Sequence, residues 1–257
     1  MNDRLGELLS ENQMLYGVIC RDLTLIDAEL MAQEGYNIVW IDLEHCPQST
    51  SEALRLCRTI SHLGMVPLVR ILELTRTHVQ RILDGGGQII TLPDTRNATE
   101  VAKLVQLGKY PPVGGRGVST SSAGTNYSIG SDPKKTLAAA NRATHLMMMF
   151  ESDEAYEKRA EMLAVDAVNM MTIGPMDWAV NAGLFGDEAK VVIGPKIERL
   201  LIDAAEAGKI TAMGPGSDDQ LRRYKDIGVR IFFVGVDVNL KRKALSQAIG
   251  SFRQVLD

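Results

Sequence analysis

The chain is poor in cysteine and has no surplus of positive charge. Its three cysteines, Cys20, Cys46 and Cys57, are an odd set without metal-site or redox spacing, which argues against a disulfide framework and predicts reduced thiols. The 28 basic residues are outnumbered by 32 acidic ones, for a net charge of −4, so no basic field favours nucleic acid or an acidic membrane surface. No apolar run approaches the roughly 18 residues that a membrane span needs. The opening MNDRLGELLSENQ is polar and acidic, unlike a secretory signal or a transit peptide. The expectation is a cytoplasmic protein whose partners are small molecules, with no role for nucleic acid or membrane. Two motifs are also missing. No GxGxxG turn follows the first strand, which counts against an open dinucleotide-binding sheet. No strand end carries a lysine, and Lys209 precedes its strand, so imine chemistry through a Schiff-base lysine is not expected.

What is present is an alternation. At 257 residues and 45% hydrophobic composition, the chain can bury the core of one large domain spanning residues 1–257. Short apolar runs predict strands over 15–20, 37–42, 66–70, 88–92, 145–150, 167–173, 210–213 and 230–234. Helical patterns fill the gaps over 25–33, 50–61, 76–83, 98–107, 153–162, 196–207, 218–226 and 240–256. Eight strand–helix pairs predict a (β/α)8 TIM barrel. One stretch, 110–143, is rich in Gly, Ser, Thr and Pro, and is expected to be a lid on the catalytic rim or a subunit contact.

Five chemically useful side chains fall where predicted strands end. Asp42 and His45 follow the second strand, Arg70 closes the third, Glu151 closes the fifth and Asp177 lies just beyond the sixth. In a barrel these ends share the rim where chemistry is done. Glu151 and Asp177 are candidate ligands for a hard divalent cation, which takes oxygen donors and completes its shell with water and substrate. Alone, each acid reads equally well as a helix cap, and Asp153 is a candidate cap. His45 beside a carboxylate suits a general base, whereas His62, His78 and His145 sit where structural roles are expected. Arg70 either forks across a substrate carboxylate or pairs with Asp42 in the barrel mouth. Gly174-Pro175-Met176-Asp177 offers backbone N–H groups to a substrate carboxylate. Gly214-Pro215-Gly216-Ser217 and Gly235-Val236-Asp237 lie where barrels bind anions, although turn chemistry explains them equally.

In order along the chain, these segments resemble the HpcH/HpaI family of class II pyruvate-dependent aldolases. The resemblance is carried by VWIDLEHCP around Asp42–His45, VPLVRI ending at Arg70, RILDGGG around Asp84, YPPVGGRG from Tyr110 to Gly117, MMFES at Glu151 and IGPMDW at Asp177. It implies a metal-dependent barrel that exchanges its last helix between subunits and assembles as a hexamer, a trimer of dimers. It also implies reversible cleavage of a 4-hydroxy-2-oxo acid to pyruvate, or a related 2-oxo acid, and an aldehyde through a metal-stabilised enolate. The implied metal is Mg2+ or Mn2+, with Co2+ as a substitute, on Glu151 and Asp177. Arg70 would be the catalytic arginine, with a base relayed through His45 and Asp42, and Asp84 would come from a neighbouring subunit.

Two positions depart from that pattern. Met149 stands where the family has a glutamine that touches the 2-oxo acid, and Met176 replaces a small polar residue. Both count as substrate-binding positions, together with Arg70, Gly174 and Pro175. Two methionines would make room for a bulkier or more apolar substrate. Other readings of the same site are a citrate-lyase-like acyl-CoA lyase, an oxaloacetate decarboxylase of the macrophomate synthase type, and a non-catalytic 2-oxo-acid-binding protein.

Overall fold

Strand segments that are mostly apolar need cover on both faces. In the computed structural model, which describes residues 2–11 and 13–256, the sheet covers its inner face by closing on itself and its outer face with helices. The strands are β1 (Leu15–Cys20), β2 (Ile38–Asp42), β3 (Val66–Arg70), β4 (Ile89–Leu92), β5 (His145–Phe150), β6 (Met170–Ile173), β7 (Ile210–Met213) and β8 (Ile231–Val236). They pair in sequence order, all parallel, and β8 returns to β1 to close the barrel. Alternate residues face inward. Leu15, Ile38, Trp40, Leu68, Met147, Met149, Met170 and Phe233 fill the interior, while Val39, Val69, Ile90, Met148 and Met171 pack outward under the helices. Trp40 meets Phe233 edge to face, with centroids 4.9 Å apart. Gly17 makes that ring fit, because a Cβ there would lie 3.0 Å from Phe233.

The helices are α1 (Arg4–Ser10), α2 (Leu25–Gln33), α3 (Thr50–His62), α4 (Arg76–Asp84), α5 (Ala98–Gly108), α6 (Pro133–Ala143), α7 (Asp153–Glu157), α8 (Arg159–Leu163), α9 (Pro175–Asn181), α10 (Gly186–Glu206), α11 (Asp218–Ile227) and α12 (Asp237–Leu256). Side-chain caps start several of them: Thr24 and Ser49 form capping boxes with Asp27 and Glu52. Helix α1 lies outside the strand–helix alternation and has no counterpart in the sequence reading. It plugs the amino-terminal end of the barrel with Leu5 and Leu8. Its cap Asp3 also bonds Nε2 of His145 at 2.8 Å, which gives that histidine the structural role expected of it. The expected helix at 153–162 breaks into α7 and α8 at Lys158. Its cap is Ser152, since Asp153 bonds Trp178 Nε1 and Lys196 instead. Helix α10 begins ten residues earlier than expected and runs through Pro195. The proline removes one hydrogen bond, to the carbonyl four residues back on exposed Val191, where water can replace it.

The 110–143 connection is not on the catalytic rim. It leaves the carboxyl end of α5 and feeds the first residue of β5, so it covers the amino-terminal end of the barrel. It contains a 3-10 turn at Ala123–Thr125 and the whole of α6. Buried Arg116 ties it down, bonding Asp84 at 2.6 Å and lying 4.5 Å over the Tyr110 ring. Among the described residues, no helix is long and apolar enough to cross a membrane.

Candidate active site

Parallel strands carry their final side chains to a common rim, and the closed order β1 to β8 brings those of β2, β3, β5 and the β6–α9 turn together there. Asp42 and Arg70 are register partners across β2 and β3. Both point inward at the mouth, and both are buried. Arg70 Nε donates to Asp42 Oδ1 at 2.9 Å and Nη2 to Oδ2 at 2.5 Å, while Nη1 reaches Glu44 at 2.9 Å. Below this fork the guanidinium lies 5.7 Å from the Trp40 ring centroid. Burial alone would raise the Asp42 carboxyl, but the bonds and charge of Arg70, with Arg21 behind them, hold it below the usual carboxylate range. Burial likewise works against the Arg70 cation, yet Asp42 and Glu44 keep it above its ordinary value.

Asp42 also shapes the turn that follows it. Its Oδ1 accepts the backbone N–H groups of Glu44 and His45. The imidazole of His45 stands exposed on the rim, and its Nε2 lies 3.7 Å from Glu44. The carboxylate beside its ring is thus Glu44, at a distance longer than a hydrogen bond, and every Asp42 contact goes to an arginine or a main-chain N–H. A direct His45–Asp42 relay is absent from this arrangement.

Glu151 is likewise a buried acid, 5% exposed. Its Oε2 accepts the N–H of Asp94 at 2.7 Å, a residue held at φ 41°, in the left-handed region that aspartate tolerates. Its main-chain carbonyl accepts Nδ2 of Asn181 on α9 at 3.0 Å. Gly174 allows the close approach, since a Cβ there would lie 2.3 Å from Glu151 Oε1. Burial, reinforced by the charge of Asp177 and opposed by the Asp94 N–H, pushes the Glu151 carboxyl up to about 7. Asp177 sits in the exposed first turn of α9. Two adjacent oxygen donors, one strained by burial and by the other's charge, suit a hard divalent cation. Among the described residues, no group of three or more His, Cys, Asp or Glu could hold a metal. Glu151 and Asp177 would supply a cation with two carboxylates, and a hard divalent ion bound by so few takes its other ligands from water and substrate.

Met149 is buried at the top of the barrel interior, beside Thr172 in register. Met176 is 78% exposed at the mouth. Gly174 N–H is already bonded to Phe150, and Pro175 has no N–H, so the free donors of this turn are those of Met176 and Asp177. Asp84 ends α4 at the opposite end of the barrel, against Arg116; one chain does not bring it to the rest. The glycine turn after β7 follows turn chemistry, whereas Gly235 and Val236 lie within β8 and Asp237 opens α12 directly. Ser217 caps α11, and the carboxylate of Asp237 accepts N–H groups from Arg21 and Asp22, so the anion after β8 is the protein's own. Arg21, Asp94 and Thr95 escaped the sequence reading, and Asp237 entered it only as part of the Gly235-Val236-Asp237 turn. Thr95 is fully buried, and its N–H and hydroxyl pair with the main chain of Met149. The sequence signal for Arg21 was its place directly after β1, the same strand-end rule that found Arg70.

The family model described as HpcH/HpaI aldolase/citrate lyase matches residues 25–244. A hydroxypyruvate/pyruvate aldolase of Roseovarius nubinhibens is 31% identical over 229 residues, 88% of this chain and 87% of the relative. A 4-hydroxy-2-oxo-heptane-1,7-dioate aldolase of Shigella flexneri is 29% identical, covering 88% of this chain and 84% of its own. Among solved structures, an HpcH/HpaI aldolase from Desulfitobacterium hafniense superposes with a TM-score of 0.90 at 24% identity, covering 97% of this chain and 96% of that one.

Proposed function

This chain belongs to the HpcH/HpaI aldolase/citrate lyase family, a family of carbon–carbon lyases, and from that premise we propose that it is a divalent-metal-dependent class II aldolase. Its reaction is the reversible cleavage of a 4-hydroxy-2-oxo acid to pyruvate, or a close 2-oxo acid, and an aldehyde. Glu151 and Asp177 hold Mg2+ or Mn2+, with Co2+ as a substitute. The bound ion supplies a Lewis acid for the oxygens of the 2-oxo acid. Arg70, fixed by Asp42 and Glu44, presents a preorganised cation where negative charge develops. His45 Nε2, open on the rim, receives the proton of the 4-hydroxyl group. The N–H groups of Met176 and Asp177 face the substrate carboxylate, and Met149 supplies an apolar wall where a hydrogen-bonding amide would narrow the choice of oxo acid. The observation that carries this reading is the buried Glu151, destabilised as an anion beside Asp177, on the same rim as the Asp42–Arg70 fork. Pyruvate release from 4-hydroxy-2-oxo acids should appear with Mn2+ or Mg2+, disappear with EDTA and return when the metal is restored. Full activity in EDTA would defeat the proposal.

The cradle around Glu151 yields a second expected result. Gly174→Ala should weaken Mn2+ binding about 10–100-fold by displacing the carboxylate. Titration calorimetry giving wild-type affinity would mean that Glu151 has room to spare or holds no metal.

The assembly we propose is a homo-oligomer, a hexamer built as a trimer of dimers, in which α12 crosses to a neighbour. Leu245, Ile249, Phe252 and Leu256 recur at spacings of four, three and four on α12, and all four are exposed. Also uncovered are Tyr16 on β1, Val234 on β8 and Leu25, Ile26 and Leu30 on α2, beside the place a barrel's eighth helix fills. Joining the two surfaces would cover both sets of apolar side chains. Asp84, stranded at the amino-terminal end, then serves a neighbouring site. Light scattering should show a hexamer for the wild type and smaller species for the pair Leu245→Glu and Phe252→Glu, since each lost side chain contributes about 1.5–3 kcal/mol of burial. A monomeric wild type would end this proposal.

A further inference from the structure

Arg21 is absent from the residues that strand-end chemistry or family resemblance singled out, yet it touches the centre of the site. Its Nη1 lies against Oδ2 of Asp42, opposite the Arg70 fork. Asp42 is fully buried, and its contacts divide between its two oxygens. Oδ1 accepts Arg70 Nε and the N–H groups of Glu44 and His45, and Oδ2 meets Arg70 Nη2 and Arg21. The Arg21 contact is an ion pair and not a hydrogen bond; without it, Oδ2 loses the charge that opposes Arg70 Nη2, and the carboxylate tilts on its remaining partners. Arg70 would follow, because two of its nitrogens take their direction from that carboxylate.

Arg21 is itself seated by an acid from the far side of the closure. Asp237, buried at the junction of β8 and α12, accepts the main-chain N–H of Arg21 at 3.0 Å and that of Asp22 at 3.3 Å, so it fixes the backbone from which the Arg21 side chain leaves. Lys241, one turn along α12, reaches Asp27 at 3.0 Å and Asp237 at 3.8 Å. The contacts thus run Asp237, Arg21, Asp42, Arg70 along the rim, from β8 through β1 and β2 to β3, four strands that neighbour one another in the barrel. We propose that Arg21 is a positioning residue, seated by Asp237, that locks Asp42 and so aims the guanidinium of Arg70. The proposal rests on the aldolase reading for its kinetics and on the geometry alone for its structural result.

The test combines kinetics with crystal structures of the full-length wild type, Arg21→Met, Arg21→Lys, Asp237→Asn and the Arg21→Met/Asp237→Asn double variant, all with Mn2+. Arg21→Met should lower kcat for pyruvate release between about tenfold and 10²-fold, the scale of an ångström's misplacement, with KM within about twofold of wild type. Arg21→Lys should recover at least half of the lost kcat. The double variant should be no slower than Arg21→Met, because Asp237 acts through Arg21. In the crystal structure of Arg21→Met, the Asp42–Arg70 fork should be rotated or broken. Wild-type kcat in Arg21→Met, or an unmoved fork, would overturn the proposal. So would a loss confined to KM for the aldehyde in the synthesis direction, which would make Arg21 a substrate contact. If Arg21→Met fails to fold, Arg21→Gln decides in its place: it must show reduced kcat and a displaced fork. A wild type without lyase activity would defeat the aldolase reading, while the fork in the crystal structures would still decide the role of Arg21.

Discussion

Glu151→Gln should lower the rate of pyruvate release about 10³-fold, or about 4 kcal/mol of transition-state stabilisation, the scale of a Lewis acid lost from its site. The amide keeps the shape of the carboxylate and its acceptor oxygen for the Asp94 N–H, so folding should survive. What it loses is the charge that makes the pair with Asp177 a cation site. The pH dependence has a definite sign. Burial and the neighbouring Asp177 push Glu151 up to about 7, against an ordinary 4.5. In the metal-free protein, the stability linked to this group is complete below about 4.5 and is lost as pH rises through about 7. Metal binding selects the ionised form, so below pH 7 it must expel a proton, and Mn2+ affinity should fall by up to about tenfold per pH unit. Glu151→Gln should abolish that dependence. Calorimetry at several pH values checks both parts, and a wild-type affinity that is flat between pH 5.5 and 8 would contradict the assignment.

Arg70→Met is the second large effect, and it should separate catalysis from stability. Loss of the preorganised cation should reduce kcat about 10²–10³-fold. It also leaves the buried Asp42 carboxylate with Arg21 as its sole guanidinium partner, and breaking a buried pair costs about 3–5 kcal/mol of folding stability. Arg70→Lys should recover stability better than rate, because an ammonium restores charge without a planar fork for both Asp42 oxygens. Denaturant unfolding and steady-state kinetics on the two variants give the comparison. An Arg70→Lys enzyme with near-native kcat would mean that Arg70 supplies only charge.

The rim residues were legible in the sequence for a simple reason. Strand periodicity and caps are written within a few residues, and a closed parallel barrel converts "last in its strand" into "on the shared rim". By that logic Asp42, Arg70, Glu151 and Asp177 belong together on the sequence alone. It erred on 110–143, where the connection runs from a helix to a strand and so must lie at the amino-terminal end. It was also silent on α1, which lies outside the strand–helix repeat and packs by plugging the barrel end.

By itself, then, the sequence determined the alternation, the barrel and the membership of the rim, because each depends on local pattern summed along the chain. Only the tertiary structure decided which atoms meet. Arg21 and Asp237 lie 216 residues apart and join because β8 closes on β1. The Asp94 N–H meets Glu151 across 57 residues. Asp42 turns to two arginines instead of to His45 because the β2–β3 register sets Arg70 directly beside it. Such contacts follow from closure and register, properties of the whole barrel that no single segment encodes.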